Sequence, residues 1–158
     1  MNNLRWTMCV RVVEAGAVVA VAAALVGSAL AAPRAATRLS VRSSHFGMTV
    51  FGPNGKVVYA FGADRGSTSH CYGVCATAWP PVLTGAAPLA GPGVEAKLLG
   101  TTKRSDGRLQ VTYGGHPLYY YSADPVGKIM CQHANMHGGL WLIVKPNGQP
   151  NMAKGKMM

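Results

Sequence analysis

The stretch Tyr59-Ala60-Phe61-Gly62-Ala63-Asp64 returns 60 residues later as Tyr119-Tyr120-Tyr121-Ser122-Ala123-Asp124. At the same offset Gly55 corresponds to Gly115 and Cys71 to Cys131, and a tryptophan follows each stretch, Trp79 or Trp141. Several matches in one register are typical of an internal repeat. The sequence therefore predicts two copies of one structural unit, called here the first copy (residues 46–82) and the second copy (residues 106–148).

Each copy predicts a β-hairpin. The β-rich runs 48–51 and 56–61 flank an Asn54-Gly55 turn, and the runs 108–113 and 116–121 flank Gly114-Gly115. Further strands are expected around residues 96–102 and 140–145, a loop at 84–93, and a turn or two of helix at 75–79. The predicted fold class is mainly β with little helix: two hairpin-based repeats packed as one small domain, residues 46–150, followed by a flexible tail, residues 151–158.

The amino-terminal residues have the pattern of an export signal. Residues 15–32 carry no charge, Arg5 and Arg11 precede them, and the run ends in Ala29-Leu30-Ala31, a small-residue cleavage pattern. We expect residues 1–31 to be a cleaved signal peptide, with a retained membrane anchor as the alternative, and residues 32–45 to be a flexible basic leader. Cys9 lies too early to accept a lipid. The protein is expected to be periplasmic or extracellular, with no lipid anchor and no transmembrane span after cleavage.

The charge balance is strongly basic. Fifteen Lys and Arg residues face five Asp and Glu residues. Removing residues 1–31 takes away two arginines and one glutamate, which leaves thirteen basic and four acidic residues, a net charge of +9. Such a surface attracts anionic components of the cell envelope, although partners stay unknown, and no nucleic-acid motif accompanies the charge. With so few carboxylates and no G-x-S-x-G, P-loop or H-E-x-x-H motif, we expect no enzyme and no catalytic residue.

The repeated motif predicts structural roles. Positions i and i+2 of a strand share one face, so Tyr59 with Phe61 and Tyr119 with Tyr121 form two aromatic stripes. We expect these stripes, with Trp79 and Trp141, to pack the core between the copies; a platform for a carbohydrate or aromatic ligand is the alternative. Asp64 and Asp124 follow the strand ends, where a carboxylate can accept backbone N–H bonds from the next turn.

The cysteines leave two interpretations open. Cys71 and Cys75 enclose three residues, and an exported protein favours a disulfide between them. A pairing of Cys131 with either of them is the alternative. Peptide mapping without reduction distinguishes these pairings.

The segment from Cys131 to His137 concentrates soft metal donors. Cys131, His133, Met136 and His137, with His116 from the preceding hairpin, are the ligand types that copper prefers. Only one residue separates the Cys from the first His, which is tighter than usual in cupredoxin loops. A surface loop with incidental His and Met residues is therefore the expectation, with no cofactor, and copper is the alternative.

Together these features resemble a known family, the bacterial predicted lipoproteins or secreted proteins with a repeated Y-x-(F/W/Y)-x-x-D motif. The resemblance extends over residues 46–148 and is most specific in Cys71-x-Gly73-x-Cys75-Ala76-x-x-Trp79-Pro80-Pro81. It implies an envelope or exported β-rich protein and brings no settled activity and no catalytic residues. The sequence thus predicts a non-enzymatic structural or binding module; the alternative is a periplasmic copper-binding or electron-transfer protein.

Overall fold

Short β-strands make up most of the regular structure in residues 35–154, the part of the chain that the computed structural model describes. The elements, in chain order, are β1 (Arg38–Ser44), β2 (Gly47–Phe51), β3 (Tyr59–Phe61), α1 (Val74–Ala78), β4 (Leu83–Thr84), β5 (Leu89–Ala90), a 3-10 turn (Ala96–Leu98), β6 (Leu99–Lys103), β7 (Leu109–Tyr113), β8 (His116–Pro117), β9 (Ala134–Met136) and β10 (Gly139–Ile143). The mainly β fold class is confirmed. The signal-peptide prediction for residues 1–31 lies outside the described residues.

Both predicted hairpin turns form. In the first copy, the Gly52 N–H donates to the Lys56 carbonyl over 3.0 Å and Gly55 adopts a φ of 74°. In the second copy, Gly114 and Gly115 adopt φ values of 58° and 83° between β7 and β8, which pair antiparallel. Two consecutive residues with positive φ match the twist of the flanking strands, and glycine adopts this conformation without steric cost.

The prediction of a flexible leader up to residue 45 is wrong for residues 38–44. These residues form β1, which pairs antiparallel with β2 and places Leu39 in the core. The second copy has the corresponding strand, β6, paired with β7 in the same way. Each copy therefore starts one strand earlier than predicted. The predicted tail also starts too early, because Asn151 is buried and its amide donates to the Phe46 carbonyl.

The strands form three sheets, and two of these combine strands from both copies. The sheet orders are β2-β1-β5, β3-β10-β9 and β4-β7-β6, with β8 joined to β7. The antiparallel β3–β10 pair joins the first copy to the second, and β4, which directly extends the first copy, pairs antiparallel with β7 of the second. The copies thus interlock in one fold instead of lying side by side as separate units. Among residues 35–154, no helix has the length and apolar character needed to cross a membrane.

Candidate functional site

The two repeated motifs meet at their first tyrosine. The Tyr59 N–H donates to the Tyr119 carbonyl over 2.8 Å, and the Tyr119 N–H donates to the Tyr59 carbonyl over 2.9 Å. The two residues hold the same position in their copies, so each contact across this bridge has a counterpart in the opposite direction. The bridge is therefore symmetric about a local two-fold axis that passes between these two residues.

The motif side chains exchange partners across the same axis. The Tyr59 hydroxyl donates to Asp124 Oδ2 over 2.7 Å, and the Tyr119 hydroxyl donates to Asp64 Oδ2 over 2.9 Å. Both tyrosines are fully buried. Burial raises the pKa of both phenols well above its usual value, so each hydroxyl keeps its proton and stays a donor. Each motif is complete only when the other copy is present.

Each aspartate also accepts a backbone hydrogen bond from the loop that follows it. Asp64 Oδ1 accepts from the His70 N–H over 2.7 Å, and Asp124 Oδ1 accepts from the Met130 N–H over 2.9 Å. Burial raises the pKa of both carboxyl groups, and the hydrogen bonds lower it in part. The two carboxylates therefore tie their own loop to the tyrosine of the other copy.

Four aromatic rings stack through the core in an order that alternates between the copies. Phe61 lies on Trp141 with centroids 4.1 Å apart and an interplanar angle of 11°. Trp141 lies on Trp79 at 3.9 Å and 5°, and Trp79 packs on Tyr121 at 4.6 Å and 34°. Phe61 and both tryptophans are buried, and Tyr121 is half-buried. These four rings therefore pack against one another across the two copies.

The two copies differ in the state of their cysteines. Cys71 and Cys75 form a disulfide with a Cα–Cα distance of 5.3 Å, which is the pairing favoured from the sequence. Cys131, at the position of Cys71 in the second copy, is a half-buried free thiol. Burial raises its pKa, and a hydrogen bond with the Tyr121 hydroxyl lowers it in part. The thiol is thus largely protonated at neutral pH, where it is a weak nucleophile.

Arg104 is a buried residue that the sequence analysis missed. Its guanidinium donates from Nη1 to Ser69 Oγ (2.8 Å) and Gln110 Oε1 (2.6 Å), and from Nη2 to the Cys71 carbonyl (2.7 Å). It also lies 4.3 Å from the centroid of the Tyr72 ring. Arg104 therefore clamps the disulfide loop of the first copy onto the second copy. An arginine at the end of a strand resembles any surface charge, and no local signal distinguishes it.

The candidate copper ligands form no cluster of three His or Cys side chains within the described residues. Among residues 35–154, the structure brings together no three His, Cys, Asp or Glu side chains in positions to hold a metal ion. Instead, the segment forms β9 and the turn into β10, where the Trp141 indole donates to the Met136 carbonyl over 3.0 Å. His133 adopts a positive φ in the turn before β9, and His137 adopts one in the turn between β9 and β10. The donor geometry gives the copper hypothesis no support.

His116 lies apart from that segment. It lines a cavity of about 130 Å³ together with Asp64, Leu142 and Pro150. Burial lowers the pKa of its imidazole, so the side chain is neutral at pH 7. A larger cleft of about 360 Å³ lies over Leu83 and Leu109, away from the repeated motif.

The carboxylates of the described chain are all engaged. Asp64 and Asp124 accept the tyrosine hydroxyls, Glu95 pairs with Lys97, and Asp106 pairs with Arg108 at 2.6 Å and with Arg104 at 3.8 Å. Eleven Lys and Arg residues lie in residues 35–154, and only Lys97, Arg104 and Arg108 form ion pairs there. The eight cations left are Arg38, Arg42, Lys56, Arg65, Lys103, Lys128, Lys145 and Lys154.

Comparison with known proteins identifies the repeat. Residues 40–83 and 100–145 match a family described as a secreted repeat of unknown function. The two matches start within β1 and β6, which agrees with the additional first strand of each copy. No curated protein and no solved structure matches the chain. The chain belongs to this secreted repeat family and contains two copies of the repeat.

Proposed function

We propose that the protein is an exported, non-enzymatic binding module that associates with anionic polymers of the cell envelope. One observation carries the proposal: within residues 35–154 the carboxylates are all engaged in hydrogen bonds to tyrosine or in ion pairs, while eight Lys and Arg side chains form no ion pair there. A surface with this imbalance has a positive potential, which concentrates anionic polymers near it.

The chemistry of the buried groups supports a non-enzymatic role. Asp64 and Asp124 each accept one tyrosine hydroxyl and one backbone N–H, so their lone pairs serve to hold the copies together. General acid-base catalysis needs a titratable group within reach of a substrate proton. Asp124 is only 2% exposed and therefore offers no such access.

A sedimentation assay with isolated envelope fragments tests this proposal. The exported protein should sediment with the fragments at about 0.05 M salt and be released at about 0.5 M salt, because exposed charges are screened over a few ångströms at high ionic strength. Neutral lipid vesicles at the same mass concentration are the control and should leave the protein in the supernatant. Protein that stays soluble with the fragments at low salt, or that resists release by salt, contradicts the proposal.

A further inference from the structure

We propose that Arg42, Lys56 and Lys128 form one site for a phosphate group of an anionic polymer. This inference rests on the proposed function and assigns it to a place on the surface. The three residues lie far apart in sequence, on β1, after the first hairpin turn and after the motif of the second copy. The fold brings them together around Gly55.

Backbone contacts at Gly55 place the three residues together. The Gly127 N–H donates to the Gly55 carbonyl over 3.0 Å, which brings the turn before Lys128 against the first hairpin. Arg42 Nη1 lies 3.7 Å from the point that a Cβ on Gly55 would occupy. Lys56 follows Gly55 directly, and its Nζ donates to the carbonyl of Ser122, in the turn that leads toward residue 128. The cations thus belong to one surface that joins the copies.

Gly55 allows the first hairpin turn and the turn before Lys128 to pack closely against each other. Gly55 has a φ of 74°, and a Cβ there would lie 2.9 Å from Val126 Cγ1. Any other residue would therefore both strain the backbone and push the second-copy turn away from the hairpin. Arg42 is further held over the ring of Phe51, 5.5 Å from the centroid. A guanidinium held in this way loses little conformational freedom when it binds a ligand.

Within the described chain, Asp124 interacts with this site through Lys56: burial raises the pKa of the Asp124 carboxyl group, and the charge of Lys56 lowers it in part. Asp124 belongs to the same turn, but it is buried and its oxygens accept from the Tyr59 hydroxyl and the Met130 N–H. Arg42 and Lys128 are exposed, and Lys56 is half-buried. The three side chains therefore keep donors available for an external anion.

The local two-fold axis supplies an internal comparison. At the 60-residue offset, Thr102 corresponds to Arg42, His116 to Lys56 and Thr68 to Lys128. The corresponding positions thus carry none of these three cations, and Arg65 lies in the corresponding loop instead. Basic residues at these positions are therefore a feature of one copy and not part of the repeated motif.

Phosphate is the anion that fits this donor set. The arginine fork donates two parallel hydrogen bonds to a phosphate group, and lysine ammonium groups contribute point charges to it. Three cations on one surface also suit a ligand whose groups carry charge at closely spaced intervals, as in a phosphate polymer. Inorganic polyphosphate is the corresponding probe, and polyglutamate of matched charge is the carboxylate comparison.

Two triple variants of equal charge test the site. Arg42→Gln, Lys56→Gln and Lys128→Gln remove the cluster, whereas Arg65→Gln, Lys103→Gln and Lys145→Gln remove three unpaired cations elsewhere. We expect the first triple to bind polyphosphate about tenfold more weakly at fixed salt and to show a smaller salt dependence, and the second to change binding less than about threefold. Thermal melting should show that both remain folded.

The outcomes separate the site from the proposed function. Equal weakening by both triples, or equal binding of polyglutamate and polyphosphate by the unmodified protein, overturns the phosphate site and leaves general attraction to anionic polymers intact. Loss of envelope binding by the first triple alone supports the site. Failure of the unmodified protein to sediment with envelope fragments refutes the proposed function, whatever the polyphosphate result.

Discussion

Replacement of Tyr59 by Phe removes one hydroxyl from the core and tests the cross-copy hydrogen bond. The hydroxyl donates to Asp124 Oδ2 over 2.7 Å, which leaves the Met130 N–H as the other donor to that carboxylate. A hydrogen bond to a charged group contributes about 1.5–3 kcal/mol to stability. Asp124 is almost fully buried, so water cannot replace the lost donor. We therefore expect Tyr59→Phe to lower the free energy of unfolding by about 1.5–3 kcal/mol.

The assay is urea unfolding followed by tryptophan fluorescence, with Tyr120→Phe as the matched control. Tyr120 is half-buried, and the described chain offers its hydroxyl no hydrogen-bond partner; burial alone raises its pKa to about 12. The control should change the unfolding free energy by less than about 0.5 kcal/mol. Equal losses in the two variants would refute the structural role of the Tyr59–Asp124 contact. A double-mutant cycle with Asp124→Asn should give a coupling of about 1 kcal/mol or more.

The other predictions concern the stack, the disulfide, one carboxyl group and the interlock. Trp141→Leu opens the four-ring stack and should cost about 2–5 kcal/mol in urea unfolding; a loss below about 1 kcal/mol contradicts the stacked core. Cys71→Ala with Cys75→Ala removes the cross-link of a short loop and should cost about 2 kcal/mol, whereas an unchanged melting temperature contradicts a structural disulfide. Burial raises the pKa of Asp64 in the folded state, so protonation of its carboxyl group stabilises the fold. This stabilisation is largest below about pH 4 and is lost as the pH rises through the raised pKa. Relative to Asp64→Asn, the unmodified protein should therefore gain stability on acidification, and parallel curves of stability against pH refute this. If the chain is cut after residue 93, the two fragments should elute together until they are denatured, because the β3–β10 and β4–β7 pairs join them. Fragments that elute separately would contradict the sharing of sheets between the copies.

Periodicity in the sequence predicted the elements that depend on local chemistry. The Asn54-Gly55 and Gly114-Gly115 turns fix their hairpins because Gly55, Gly114 and Gly115 adopt positive φ, which is a local property. The strand β1 was missed because its sequence carries Arg38 and Arg42 among few apolar residues, so it resembles a solvated leader. The 60-residue offset contained the missing signal, since it maps the expected strand near residues 96–102 onto residues 36–42.

The exchange of partners across the axis could not be predicted from the sequence. Spacing along the chain relates Asp64 to its own strand and turn, and that relation predicted a backbone contact within the same loop. The tyrosine that reaches Asp64 lies 55 residues away in the other copy, and only the pairing of the two motifs brings it there. The burial of Arg104 could not be predicted for the same reason, because its hydrogen-bond acceptors come from both copies.

The differences between the copies indicate where function resides. Interactions that both copies share, such as the tyrosine–aspartate exchange and the aromatic stack, are needed to join the copies and therefore explain the repeated motif. Other features differ between the two copies. The disulfide and Arg104 stabilise one loop of the first copy, whereas the cations around Gly55 make two local contacts, from Lys56 Nζ to the Ser122 carbonyl and from Arg42 to the Phe51 ring. Cations present on one of two corresponding surfaces are accounted for by binding, which is why substitutions of the exposed Arg42 and Lys128 should reduce polyanion affinity and leave the unfolding free energy nearly unchanged.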